Sequence, residues 1–131
     1  RKLVDVNLIV EIEDTVSMIY GDEGQLRQLF MNLIKNAGEA MPDGGILTVK
    51  SHVENNSIRI DISDTGFGIS EENMQKIFDP FFTTKKMGEG TGLGLSVSYG
   101  IIKQHHGQII VDSKLGSGSM FTIKLPVSNG E

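Results

Sequence analysis

Four short motifs follow one another in fixed order along this 131-residue chain, and their glycines dictate where regular structure must break. They are Asn32-Leu33-Ile34-Lys35-Asn36-Ala37, Asp64-Thr65-Gly66-Phe67-Gly68, Phe78-Asp79-Pro80-Phe81-Phe82 and Gly90-Thr91-Gly92-Leu93-Gly94-Leu95. The first pairs two amides at helical spacing. The second and fourth are glycine-rich and belong at junctions between elements. Of 16 glycines, six lie between Gly66 and Gly94. Taken together, the motifs offer a metal ligand, a carboxylate able to read a base, a mobile cover and backbone donors for phosphate.

Hydrophobic periodicity supplies the elements between these breaks. Val4–Glu13 and Val16–Tyr20 carry apolar alternation and read as strands. Asp22 is placed to cap a helix on which Leu26, Leu29, Phe30, Leu33, Ala37 and Ala40 recur with the helical period. That helix must end before Pro42, and Asp43-Gly44-Gly45 is a turn. Ile46–Val53 and Ile58–Ser63 form a hairpin around Glu54-Asn55-Asn56-Ser57. Ser70 caps a short helix reaching about Ile77, with acid in its first turn. Residues 79–92 show no periodicity, and a loop of that length in a compact domain is usually a lid or a binding loop. Leu93–His106 reads as a second long helix, apolar on two sides and therefore largely buried. Gln108–Asp112 and Met120–Leu125 close the chain as strands around Gly116-Ser117-Gly118.

Neighbouring pairs of strands favour a mixed, largely antiparallel sheet of about five strands, with three helices on one face: a two-layer α/β sandwich. The order disfavours a Rossmann reading, in which the glycine fingerprint lies directly between a strand and the helix it opens. It excludes a P-loop too, since no Gly-Lys-Ser/Thr follows the glycines. One domain over residues 1–131, with a lid at about 79–92, accommodates the length. A start on Arg1 reads as a piece cut from something longer. The net charge of −5 argues against a nonspecific nucleic-acid binder. The chain has no Cys, which removes disulfide and thiolate chemistry, and its three histidines have no metal-ligand spacing. Their expected roles are structural.

Each motif carries chemistry of its own. Asn32 and Asn36 project from one side of the first long helix, at the rim of its apolar stripe. An amide oxygen there is a neutral, hard ligand suited to Mg²⁺ beside substrate phosphates; the alternative is a pair of solvated polar residues. Asp64 at a strand end accepts hydrogen bonds and can receive an exocyclic amine, or it can simply close an Asp-x-Gly turn. The Phe cluster packs as core, and Lys85 is the lysine expected to reach a polyphosphate. Gly90 to Leu95 run into a helix whose N-terminal N–H groups attract anions; a hinge without ligand is the alternative.

These residues resemble the ATP-binding catalytic domain of bacterial sensor histidine kinases. That domain shares the GHKL, or Bergerat-type, fold with DNA gyrase, heat-shock chaperones and mismatch-repair ATPases. The resemblance runs from about Val6 to Pro126, and Asp79 to Lys85 look most like the nitrogen-regulation and PAS-linked subgroup. It implies ATP or ADP with Mg²⁺ as ligands, Asn36 as the metal ligand and Asn32 beside the phosphates. It implies that Asp64 reads the adenine amine with Thr122 nearby, that Ile69 packs on the ring, and that Gly66 and Gly68 shape the pocket. Lys85, Gly90, Thr91, Gly92, Leu93, Gly94 and Leu95 would border the phosphates. The implied activity is transfer of the γ-phosphoryl group to a histidine on a separate dimerisation domain, absent from this chain, within a homodimeric two-component sensor that signals to a response regulator. No membrane or nucleic-acid contact by this domain is implied, and its setting is cytoplasmic, whether or not the parent protein is anchored.

Two departures sharpen this reading. Hydrolases of the fold carry a water-activating Glu one turn before the metal Asn. Here that position is Asn32, and an amide is no general base. Some sensor kinases place a Lys where this chain has Glu39, so positive charge must come from Lys85, Arg27 or Lys35. A hydrolase, a serine protein kinase and a nucleotide-gated interaction module without chemistry stand as alternatives.

Overall fold

The computed structural model describes residues 5–12, 21–80 and 94–127. Eight elements run in the order β1 (Val6–Ile12), α1 (Glu23–Glu39), β2 (Gly45–Glu54), β3 (Ser57–Asp64), α2 (Glu71–Met74), α3 (Gly94–Gln104), β4 (Gln108–Ser113) and β5 (Ser119–Pro126). The five strands form one sheet in the order β1-β2-β3-β5-β4. β1 pairs in parallel with β2, and the other three pairings are antiparallel. The sheet is therefore mixed and largely antiparallel, as the strand pairs predict. The expected strand at Val16–Tyr20 and the lid beyond Pro80 lie outside the described residues.

α1 begins where its cap says it should. Asp22 is extended, and its Oδ1 accepts from the Gln25 N–H at 3.0 Å. Leu29, Leu33 and Ala37 recur every fourth residue and are buried, with Leu26 and Phe30 packed beside them. The Glu23–Arg27 pair at 3.0 Å stands in solvent and contributes little. β2 and β3 turn at Asn55, which takes a left-handed φ of 57°, a conformation Asn tolerates.

Strand alternation sorts the sheet into two faces. Ile62, Phe121, Ile123 and Leu125 point inward and are buried with Leu29, Leu33, Met41, Ile101 and Ile102. Residues of the opposite parity, such as Lys50, Arg59, Asp61 and Lys124, form a polar outer face, where the Arg59 Nε–H donates to Asp61 Oδ1 at 3.1 Å.

Two expectations differ from the structure. α2 stops at Met74 and continues as turn, so the Ser70-capped helix is one turn long. α3 buries one side only: Ser98, Ile101 and Ile102 are inside, whereas Val97 and Tyr99 are 38% and 40% exposed. α1 and α3 run side by side in opposite directions, with the start and the end of α3 bonded to the middle and the start of α1. Asn32 Nδ2 donates to the Gly94 carbonyl at the start of α3. Just beyond the end of α3, His105 Nε2 accepts from the Asp22 N–H at 3.0 Å, while Nδ1 lies 2.8 Å from the Ile101 carbonyl. Both bonds are made together by the neutral ring protonated on Nδ1. Gly21 leaves room for this ring, since a Cβ there would collide with His105 Cδ2. His105 is thus structural, as expected. His52 sits exposed beside Glu54, and His106 adopts a φ of 60° after α3.

Candidate functional site

The site gathers at one end of the sheet, where β3 ends, β5 begins and α1 and α3 converge. Asp64, last in β3, is 6% exposed. Its Oδ1 accepts from the Gly66 N–H at 2.9 Å. Burial raises its carboxyl above the ordinary carboxylate range, and hydrogen bonds from the Gly66 and Ser119 backbones oppose that shift. A carboxylate held by backbone donors at the mouth of a core retains acceptor capacity for an amine from outside.

The loop after Asp64 is fixed on both sides. On one, the Phe67 N–H donates to the Ala40 carbonyl beyond α1 at 3.1 Å. On the other, the Gly116 N–H donates to the Phe67 carbonyl at 2.7 Å, and the Ile69 N–H donates to Ser113 Oγ at 2.8 Å. The two glycines are required for different reasons. Gly66 has no positive φ, but a Cβ there would run into the Ala40 oxygen. Gly68 does take a positive φ, of 75°, and faces the Lys114 oxygen. Both glycines shape the loop by letting backbone dock on backbone. Ile69 is half-buried against the core.

Asn32 and Asn36 occupy the α1 wall, both half-buried. The Asn32 amide nitrogen reaches the Gly94 carbonyl at 3.4 Å, a long bond, which orients its oxygen away from that carbonyl. Gly94 opens α3, and its carbonyl also accepts from Ser98 Oγ at 2.8 Å. A Cβ built on Gly94 meets no atom within 4 Å, so packing among the described residues does not demand this glycine. Leu95 is half-buried behind it. Lys85, Gly90, Thr91, Gly92 and Leu93 lie outside the described residues.

Thr122 does not join Asp64. It pairs across strands with Asp61, and its hydroxyl donates to Asp61 Oδ1 at 2.7 Å on the outer face. Strand parity forces this: Phe121 and Ile123 point inward, so Thr122 points out. The residue opposite Asp64 is Ser119, 7% exposed, and beyond it across β4 lies Ser113. Sequence reasoning passed over both serines. A signal was present, because each extends an inward apolar alternation by one more step: Ile109, Val111, Ser113 on β4 and Ser119, Phe121, Ile123 on β5.

Comparison with known proteins assigns the class. The family model for the histidine kinase-, DNA gyrase B- and HSP90-like ATPases matches residues 21–129, and the chain belongs to that family. Within it, the relatives are sensor kinases. Sporulation kinase E of Bacillus subtilis (strain 168) is 42% identical over 127 residues, which cover 95% of this chain and 17% of that protein. The catalytic domain of the histidine kinase ThkA in a nucleotide-free form superposes with a TM-score of 0.81 at 33% identity, covering 92% of this chain and 78% of that one. Full-length ShkA in complex with AMPPNP gives a TM-score of 0.82 at 26% identity, covering 94% of this chain and 26% of that one. The chain spans about a sixth of the sporulation kinase it matches. Among the described residues, no helix is long and apolar enough to cross a membrane.

Proposed function

We propose that this chain binds Mg·ATP and presents the γ-phosphoryl group to a histidine on the dimerisation domain of a homodimeric, cytoplasmically disposed sensor kinase, which then serves a response regulator. The observation that carries the proposal is Asn32. It stands where hydrolases of the fold hold a basic carboxylate, and its amide is tied to the first residue of α3. An amide so placed orients groups and takes no proton from water.

The residues fit the ligand. Asp64 and the Gly66–Ile69 loop offer a buried acceptor and a flat apolar wall to a purine. Gly94, which no described residue crowds, offers a helix N-terminus to phosphate. Among the described residues no three His, Asp or Glu side chains converge on a metal position. Mg²⁺ would therefore be held by the Asn36 amide oxygen and by phosphate oxygens, and when bound it supplies charge neutralisation. Lys85 would add positive charge from the lid.

Titration calorimetry tests the assignment. The wild-type chain should bind ATP more tightly with Mg²⁺ than without, and Asn36→Ala should lose most of that metal-dependent gain. An unchanged gain removes Asn36 as the ligand. Mixed with a histidine-bearing dimerisation domain from the parent protein, the chain should label that domain from ATP carrying a radioactive γ-phosphate, whereas brisk steady-state hydrolysis by the chain alone would point to a hydrolase.

A further inference from the structure

Asp64, Ser119 and Ser113 form one row across β3, β5 and β4, each opposite the next. All three side chains face inward, because Ile62, Phe121 and Val111, two residues along each strand, pack in or against the core. Ser113 Oγ has three partners: the Ile69 N–H at 2.8 Å, the Gly118 carbonyl at 2.9 Å and Ser119 Oγ at 2.8 Å. A hydroxyl owns one proton and two lone pairs. The Gly118 carbonyl can only accept, and its other bond, from the Lys114 N–H, is long at 3.4 Å. The arrangement that satisfies every group sends the Ser113 proton to Gly118. The two Ser113 lone pairs then take the Ile69 N–H and the Ser119 O–H. The proton of Ser119 is thereby spent away from the site, and Ser119 shows only lone pairs next to Asp64.

We propose that Ser113 is a positioning residue that sets base selectivity: by holding the Ser119 proton, it makes the pocket edge beside Asp64 purely accepting. Such an edge welcomes a purine with an amino group at its 6-position and repels one with a carbonyl there. Asp64 alone states half of this preference. A free Ser119 hydroxyl beside it could turn and donate to a 6-oxo group, so the preference needs the proton held back. The inference rests on the nucleotide-binding reading given above.

ATP and ITP share every group except the 6-substituent and the N1 it controls, which accepts in adenine and carries a proton in hypoxanthine, and calorimetry with Mg²⁺ on this chain reads their affinity ratio directly. The wild-type chain should favour ATP. Ser113→Ala should reduce the ATP:ITP ratio by about tenfold, the worth of one hydrogen bond gained or lost. Ser113→Thr keeps a hydroxyl and should keep the ratio. The double variant Ser113→Ala/Ser119→Ala should recover much of it, since the misdirected donor is gone; loosened packing alone would not produce that recovery. Should Ser113→Ala fail to fold, Ser113→Cys, with its weak donor, takes its place with the same expected order. An unchanged ratio in the single variant, no recovery in the double, or no preference in the wild type overturns the inference. If the wild-type chain binds neither nucleotide, the site reading falls as well, so the two failures are told apart.

Discussion

Asp64 shows how a buried carboxyl at the proposed base site ties stability to pH. Burial favours its protonated form, so the folded chain keeps that proton to higher pH than the unfolded chain does. Between the ordinary carboxylate range and the raised value, the folded state binds more protons. Stability from this residue is therefore present in acid and falls as pH rises through that window. Asp64→Asn removes the charge and can keep the Gly66 bond through its amide oxygen. Thermal melts should show the Asp64→Asn variant more stable than wild type at neutral pH, with the advantage shrinking as pH falls through the raised value and gone below about pH 4. Its affinity for ATP should drop, and its discrimination against 6-oxopurines with it. A variant that melts lower at pH 7 would contradict the direction of the shift. The position of Asp64 at a strand end before Thr-Gly-x-Gly was legible in the sequence, and the turn bond to Gly66 that the same residues suggest is present. Its serine neighbours were not legible, because a Ser in a strand is uninformative until its strand partner is known. The resemblance implied Thr122 beside Asp64, but strand register sets it opposite Asp61 instead.

At the scale of elements, caps and close approaches explain the boundaries. Asp22→Ala should cost about 1 kcal/mol in denaturant melts through loss of the Gln25 bond. Gly66→Ala should cost more, about 1–3 kcal/mol, because the Ala40 oxygen occupies the new methyl's position and α1 must shift to admit it. The same variant should weaken nucleotide binding, as the loop that carries Ile69 is displaced with it. Equal stability of Gly66→Ala and wild type would show that α1 and this loop are not in fact wedged together. α1, the β2–β3 hairpin and the closing strands could all be read from period and punctuation. α2 was overextended because its cap and acidic start are strong local signals, whereas its end is set by the turn at 75–78, which carries no Gly or Pro to announce it. α3 read as apolar on two sides and largely buried, yet it packs on α1 along one side and leaves Val97 and Tyr99 exposed.

For the whole molecule, the core lies where α1 and α3 cross the inner face of β3 and β5. Leu29 is completely buried there, and Leu29→Ala should destabilise the chain by about 2–5 kcal/mol in chemical denaturation, among the larger single losses available to it. The loss should be cooperative, with helix and sheet signals melting together. The two bridges between α1 and α3 give this core a mechanical property. Asn32 meets Gly94 at one end, and Asp22 meets His105 at the other. α3 is thus held at both of its ends, to the middle and the start of α1, and cannot slide along α1 without breaking a bond. A ligand that tightens the contacts around Gly94 should therefore slow hydrogen exchange of the Asp22 amide a helix length away, and unchanged exchange on adding ATP would show that the two bridges are not coupled.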